Sequence, residues 1–458
     1  MDGTSASAQD ARGLDGLTAR ISALRPVRRW GEVAAVDSAA LRLRGLGRSG
    51  RRGDRVRIAP EGRPEVLAEI VAVDGEGARA MWFGTGEGVA VGDRAWLEPQ
   101  AGVRPCPAWI GRVVDAFGAP LDGAPLDEGL RPAPLRRAPP PPALRRGLGS
   151  RLDTGLSAFD TLLPLVRGQR VGLFAGSGVG KSTLLGKLAR GVAADVVVVG
   201  LIGERGREVR DFVERGLGPD GMKRAVVVAA TSDQAPLAKR QAAWLATAVA
   251  ESFRDQGLHV LLLIDSVTRF AEAHREVALA AGEAPSLRAY PPSTAHAIAQ
   301  LVERAGPGHG AQGDITAIYS VLVAGSDMEE PVADITRGVL DGHLVLDRAI
   351  AERGRFPAVD VRRSVSRSLP DAASEPENAL IALARRRIAA YEDIEPMIRT
   401  GLYAAGADPE ADAAVAAREA LEAFVASNSP DGASDAFRRL GEALGVDAAA
   451  QAEKVDAD

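Results

Sequence analysis

The stretch RVGLFAGSGVGKSTLLGKLAR, Arg170 to Arg190, decides the fold. An apolar run of strand length, RVGLFA, leads into a glycine-rich loop and then into a helical pattern, the order a phosphate cradle requires. Within AGSGVGKST, Ala175 to Thr183, the residues Gly176, Gly178 and Gly180 let backbone N–H groups turn inward, and Ser177 and Val179 fill the intervening positions. The amino terminus of the following helix adds partial positive charge, so the pocket suits phosphate oxygens. Lys181 is placed to reach the β and γ phosphates of ATP, the Ser182 hydroxyl suits Mg2+, and Thr183 opens the helix beside it. The strict pattern asks for a glycine where Ala175 stands. That position lies at the strand end, before the backbone bends, so a methyl group is tolerable there.

Working outward, DVVVVGLI, RAVVVAA, HVLLLID and ITAIYSVLVA are further apolar runs of strand length, separated by helical stretches such as QAAWLATAVAESFRDQG. Strands of this kind alternating with helices predict a parallel sheet covered on both faces, an α/β P-loop domain over residues 151–369. HVLLLIDS puts Asp265 at the end of a buried strand, where an acid is costly without a cation; with Ser182 it makes a Mg2+ site. LIGERGREVRDF places Glu204 and Arg205 at the carboxyl edge of the sheet, beside the γ-phosphate position. Glu204 fits a general base and Arg205 a charge clamp. Spacing alone also allows the two to be a surface ion pair.

The flanks have a different texture. Over residues 28–100, short alternating runs (EVAAV, LRLRGL, DRVRIA, AEIVAV, ARAMWF, RAWLE) are punctuated by glycine and predict a small antiparallel β-barrel. Seven arginines fall between Arg42 and Arg57; solvated strand edges explain them better than a nucleic-acid or lipid patch. Residues 101–150 read as a linker, with the run Pro139 to Pro142 between Arg136, Arg137, Arg145 and Arg146 favouring an extended spacer. Residues 370–458 are rich in Ala, Glu, Arg and Leu and predict a helical carboxy-terminal domain. At the other end, over residues 1–27, Leu14, Leu17, Ile21 and Leu24 recur at helical spacing before Pro26, as an amphipathic helix for a partner.

Composition sets outer limits. A chain of 458 residues exceeds one compact core, so about two to four domains are expected. With 61 acidic against 56 basic residues the net charge is −5, and nothing pulls the whole chain toward nucleic acid or anionic lipid. A lone Cys106 excludes internal disulfides, and the five histidines lack ligand spacing. No leader pattern and no run of about 18 apolar residues is present, so a soluble, cytoplasmic protein is expected.

The segments AGSGVGKST, GERGRE, LLLIDSVTRFA, SLRAYPPS and PAVDVRRSVSR, in this order and spacing, resemble the catalytic subunits of rotary-type hexameric ATPases, and within them the type III secretion ATPases that serve flagellar export. The resemblance runs from about Val33 to Arg399, and PAVDVRRSVS, Pro357 to Ser366, matches the family's signature decamer at every position. It implies that Glu204 is the catalytic glutamate, that Phe356 stacks on adenine, and that Arg367 is an arginine finger reaching into a neighbouring subunit's site. A finger in trans implies a ring, six identical chains in this family. It further implies a stator-like regulator at the opening helix, a central stalk protein and chaperone–substrate complexes at the helical domain, and an export gate. Peripheral placement at the cytoplasmic face of the inner membrane follows from the same likeness. Two departures are visible: the stretch before the paired prolines, Gly-Tyr-Pro-Pro-Ser in the family, has Ala289 before Tyr290, and the usual aspartate or proline at 284 is Ala284. Two other readings keep the core sheet. An RNA-dependent hexameric helicase needs aromatic platforms in the barrel, for which Trp82, Phe83 and Trp96 are available. The catalytic subunit of an ion-translocating ATPase needs an acidic lever in the helical domain.

Overall fold

The computed structural model describes residues 29–446 except residues 39, 47–48, 99–101, 287–288 and 324–327. The pattern Leu14, Leu17, Ile21 and Leu24 therefore lies outside the described residues. Two compact units result, one of residues up to Gln100 with Ala280–Gly282, the other holding the rest.

The first unit is a closed antiparallel barrel of six strands, β1 Trp30–Val36, β2 Leu41–Arg44, β3 Arg55–Ala59, β4 Val66–Asp74, β5 Gly77–Trp82 and β6 Arg94–Glu98, in the order β1-β2-β5-β4-β3-β6. Alternation builds it: LRLR buries Leu41 and Leu43, and RVRIA buries Val56 and Ile58. The arginines between them stay at the surface, Arg42 pairing with Glu76 and Arg57 with Glu65 and Glu98.

The second unit is built on a sheet whose strands run in the order β15-β14-β8-β13-β11-β9-β10-β7, with β12 Gly306–Pro307 beside β13. Its five central strands are the apolar runs named above: β8 Arg170–Ala175, β9 Val196–Glu204, β10 Ala225–Thr231, β11 Val260–Asp265 and β13 Asp314–Leu322. All pair parallel with their neighbours, and burial on both faces is why they read as continuous hydrophobic runs. β14 Gly342–Leu346 extends the sheet in parallel, and β15 Val359–Ser366, which carries the decamer, turns back antiparallel at the edge. Helices α1 Lys181–Gly191, α2 Gly206–Asp211, α3 Pro236–Arg254, α4 Val267–Ala280 and α5 Ser293–Val302 connect these strands.

Residues 101–150 are not a free spacer. Strand β7 Val113–Val114 joins the sheet beside β10, Trp109 is buried, and Gln241 of α3 donates to the Ala116 carbonyl at 2.7 Å. The proline run is extended, but its flanking arginines tie it down. Arg136 lies over the Trp244 ring at 4.4 Å, Arg137 pairs with Asp255, Arg145 donates to the Glu303 carbonyl, and Arg146 reaches Asp314 at 2.6 Å. Guanidinium groups with several donors each find carbonyls or carboxylates on the sheet unit, which a solvated linker would not offer.

Beyond residue 370 the chain is helical: α6 Glu375–Arg399, α7 Pro409–Ala426 and α8 Gly432–Ala443. The first is started by a Ser374–Glu377 capping box and the second by Asp408, which accepts from Glu410 N and Ala411 N. Leu380, Ile381 and Ala384 of α6, Leu421 and Phe424 of α7 and Leu440 of α8 share one hydrophobic core with Phe159, Leu162 and the strands. Arg151 locks α6 through Glu377 at 2.9 Å. The helices thus extend the core of the sheet unit.

Ala289 has φ +68° and is the one non-glycine with positive φ among the described residues. Its loop is pinned from behind, where Ser293 donates from N and Oγ to Glu283 at 2.9 and 2.6 Å and sits 2.9 Å from His274 Nε2. A Cβ in the left-handed region costs roughly 1–2 kcal/mol, which accounts for a glycine in the resembling sequences. Replacing Ala289 by Gly is expected to raise stability by about 0.5–1 kcal/mol after the entropy of the unfolded glycine is allowed for. Ala289→Val should lower it, and equal urea midpoints for the three proteins would contradict a strained loop.

Candidate functional site

The carboxyl ends of β8, β13, β11 and β9 lie side by side, and the chemistry gathers there. β8 ends at Ala175, fully buried and paired with Leu322 and Leu346. Its methyl belongs to the sheet, so the missing first glycine costs the loop nothing. The bend comes later, at Gly178 (φ +78°) and Gly180 (φ +87°), conformations that disfavour a side chain. Gly180 is the cap from which α1 starts, and Val179 is buried beneath the loop. Ser177, Ser182 and Thr183 are exposed on its outer side and Gly176 is half-buried, leaving the loop and the first turn of α1 accessible to phosphate oxygens.

Lys181, the first residue of α1, places its ammonium against Asp265 Oδ1 and 3.5 Å from Glu204 Oε1. Asp265 closes β11 with its side chain 3% exposed, and Glu204 closes β9 at 18%. Burial pushes the Glu204 carboxyl up to about 7; Lys181 opposes the shift while Asp265 and Glu208 add to it. Glu208, on α2 one turn later, hydrogen-bonds Glu204 and is itself held below the usual range by that contact. Arg269, in the first turn of α4, passes Gly203, where an added Cβ would lie 3.1 Å from the arginine stem. Its charge is stabilised chiefly by the hydrogen bond to Glu272, with Glu204 and Glu208 adding to it.

Three of the residues named from sequence are thus brought together, Lys181, Glu204 and Asp265. Arg205 is not with them. Its guanidinium is 81% exposed and 3.9 Å from Glu208, on the outer side of that acid. The reason is alternation: at φ −70° and ψ 145° the chain is still extended at residue 205, and successive extended residues face opposite sides. Glu208, Arg269 and Ser320, which donates to Asp265 Oδ1 at 2.6 Å, were missed. The first two stand four residues after Glu204 and Asp265, a helical spacing that could have signalled them. Ser320 faces Asp265 only through cross-strand register.

Phe356 is half exposed at the same edge, and its ring would lie 3.2 Å from a Cβ at Gly180. Arg367 is elsewhere. Because β15 is antiparallel to β14, Val359 pairs with Leu346 beside the phosphate loop, whereas Ser366 pairs with Gly342 at the opposite edge. The six residues of β8 separate the two edges by roughly 20 Å. Arg367 is exposed there, and among the described residues no carboxylate lies within ion-pairing distance of it.

The donors suit magnesium. A serine hydroxyl and a carboxylate are hard oxygen ligands, and among the described residues no cluster of three His, Cys, Asp or Glu forms a protein-only metal cage. A cation held by Ser182 and Asp265 would take its remaining ligands from water or phosphate oxygens.

The charge arrangement is testable before any turnover is measured. In 13C spectra of carboxyl-labelled glutamate, Glu204 should titrate near 7, moving higher in Lys181→Ala and lower in Asp265→Asn. A midpoint in the ordinary range of about 4 to 4.5 would contradict the burial described.

Residues 155–366 match the ATP synthase alpha/beta family, nucleotide-binding domain, and residues 373–434 the T3SS EscN ATPase C-terminal domain. The chain is 47% identical to the flagellum-specific ATP synthase of Caulobacter vibrioides over 93% of this chain and 98% of the relative. It is 43% identical to that of Salmonella typhimurium over 90% and 92%, and 46% identical to the type 3 secretion system ATPase of Sinorhizobium fredii over 73% and 74%. The structure of the assembled ATPase EscN from the enteropathogenic E. coli type III secretion system superposes with a TM-score of 0.84, at 37% identity, covering 90% of this chain and all of that one. With the Lys181, Asp265 and Glu204 cluster inside the matched segment, the chain belongs to the flagellum-specific ATP synthase and type 3 secretion system ATPase family, and it is an ATPase.

Proposed function

We propose that the protein hydrolyses Mg-ATP in a ring of six identical chains and that the ring energises protein export, releasing and unfolding substrates held by chaperones. The observation that carries this reading is the separation of Arg367 from the phosphate loop of its own chain. A finger that cannot reach the γ-phosphate at home can serve the site of a neighbour, and such fingers contribute about three to five orders of magnitude to the rate.

Each residue then has a task. The loop from Gly176 to Gly180 and Lys181 hold the phosphates, with Phe356 at the adenine. Ser182 and Asp265 would hold magnesium, which supplies charge neutralisation at the phosphate oxygens. Glu204 takes a proton from the attacking water and needs its carboxylate form to do so. Glu208 and Arg269 set that carboxyl's charge balance. A central stalk protein belongs to this reading, supported by the solved complex of EscN with its central stalk EscO, TM-score 0.81 at 37% identity; the export gate and chaperones enter it through the family resemblance alone. The reading also includes the stator-like regulator at the opening helix and cytoplasmic placement against the membrane; among the described residues no helix is long and apolar enough to cross one.

The helicase alternative is less well supported. Phe83 is buried and Trp82 packs on the barrel core. Trp96 is half-buried across from Trp30; Trp30 is exposed with Arg94 5.8 Å from its ring centroid, and one exposed stacked ring among the described barrel residues does not make a strand-binding track.

Two measurements test the proposal. Because the working base is the carboxylate, kcat/KM for ATP should fall about tenfold per pH unit below an apparent pKa near 7 and lose that limb in Glu204→Gln. A flat wild-type profile between pH 5.5 and 7.5 would argue against Glu204. Glu204→Gln and Arg367→Ala should each be nearly inactive alone, yet regain activity when mixed, because about a quarter of randomly assorted interfaces then pair an intact acid with an intact finger. No recovery from a mixture shown to co-assemble would reject a site shared between chains.

A further inference from the structure

We propose that Ser320 is a positioning residue for Asp265, holding one oxygen of that carboxylate so that the other faces the magnesium ion of the nucleotide; this rests on reading Ser182 and Asp265 as the magnesium site. Ser320 stands on β13, the strand next to β11, and the register pairs Ile264 with Tyr319, so the following residues, Asp265 and Ser320, come opposite one another. The Ser320 hydroxyl donates to Asp265 Oδ1 at 2.6 Å, and the two residues are 0% and 2% exposed. Lys181 meets the same Oδ1, and among the described residues no hydrogen bond falls on Oδ2. The carboxylate is therefore fixed through one oxygen.

The strand carrying the hydroxyl is itself pinned. Leu322 N donates to Thr268 Oγ1 at 2.9 Å, which ties the end of β13 to the first turn of α4, the helix that Asp265 leads into. Serine is a poor choice for packing at this position. Between Tyr319 and Val321 in a strand buried on both faces, a β-branched apolar residue fits better, and a buried hydroxyl is unfavourable unless it is bonded. The bond it makes is to a carboxylate at the site's centre, the arrangement by which outer partners orient metal ligands.

The test is nucleotide binding with and without the metal. N-methylanthraniloyl-ATP is titrated into wild type, Ser320→Ala, and the matched pair Ser320→Thr and Ser320→Val, once with Mg2+ and once with EDTA. Thermal midpoints without nucleotide accompany each protein. Loss of the hydroxyl in Ser320→Ala and Ser320→Val should weaken Mg-dependent binding about tenfold and leave binding in EDTA unchanged, with Ser320→Thr restoring it. The Mg2+ concentration for half-maximal hydrolysis should rise by a similar factor while kcat at saturating Mg2+ stays within about twofold. Equal Mg2+ enhancement in Thr and Val variants overturns the proposal. So does a loss of the same size in EDTA, which marks a packing role. If wild type itself shows no enhancement by Mg2+, the magnesium assignment fails, and the positioning role falls with it.

Discussion

A parallel sheet has one chemically rich edge. Every strand of β8, β13, β11 and β9 runs the same way, so their last residues and the amino termini of the helices that follow are delivered to a single line. On that line stand the phosphate loop, Lys181, Asp265, Ser320 and Glu204, contributed by segments far apart in the chain. The same polarity excludes Arg367. The chain reverses at β15, and the decamer that begins beside the phosphate loop at Pro357, next to Phe356, ends at the far edge. Sheet polarity thus sets Arg367 apart from the acid and the cradle of its own chain, and the proposed site shared between chains rests on that separation.

Around Lys181 the balance of charge is narrow. One ammonium faces two carboxyl groups in a largely buried space, where an unpaired charge is costly. Asp265 receives the lysine and a serine hydroxyl. Glu204 is pushed upward by burial first and by the charges of Asp265 and Glu208 after it, with Lys181 opposing the shift. Two acids that look equivalent in the sequence thereby acquire different tasks, one suited to standing near a metal ion, the other to exchanging a proton near neutral pH.

Much of this was legible in the residues. Strands buried on both faces announce themselves as unbroken apolar runs, and an acid at the end of such a run, as in HVLLLID, has few reasons to be there. The barrel was readable from alternation in LRLR and RVRIA. What escaped was whatever depends on pairing across distance. Ser320 gains its meaning from register with Asp265. Arg136, Arg145 and Arg146 turn a proline-rich stretch into a strap only because Trp244, Glu303 and Asp314 lie within reach. Arg205 turns outward from Glu204 because the chain is still extended there. The edge strand β15 mixes polar and apolar residues because the sheet ends there.

The central claim is that turnover needs a cation lent by a second chain. Its most direct test is specific ATPase activity measured across a wide range of protein concentration, with molecular mass determined on the same samples. The account predicts that activity per chain rises with the assembled fraction and vanishes in samples shown to be monomeric. Constant activity per chain down to a verified monomer would contradict it.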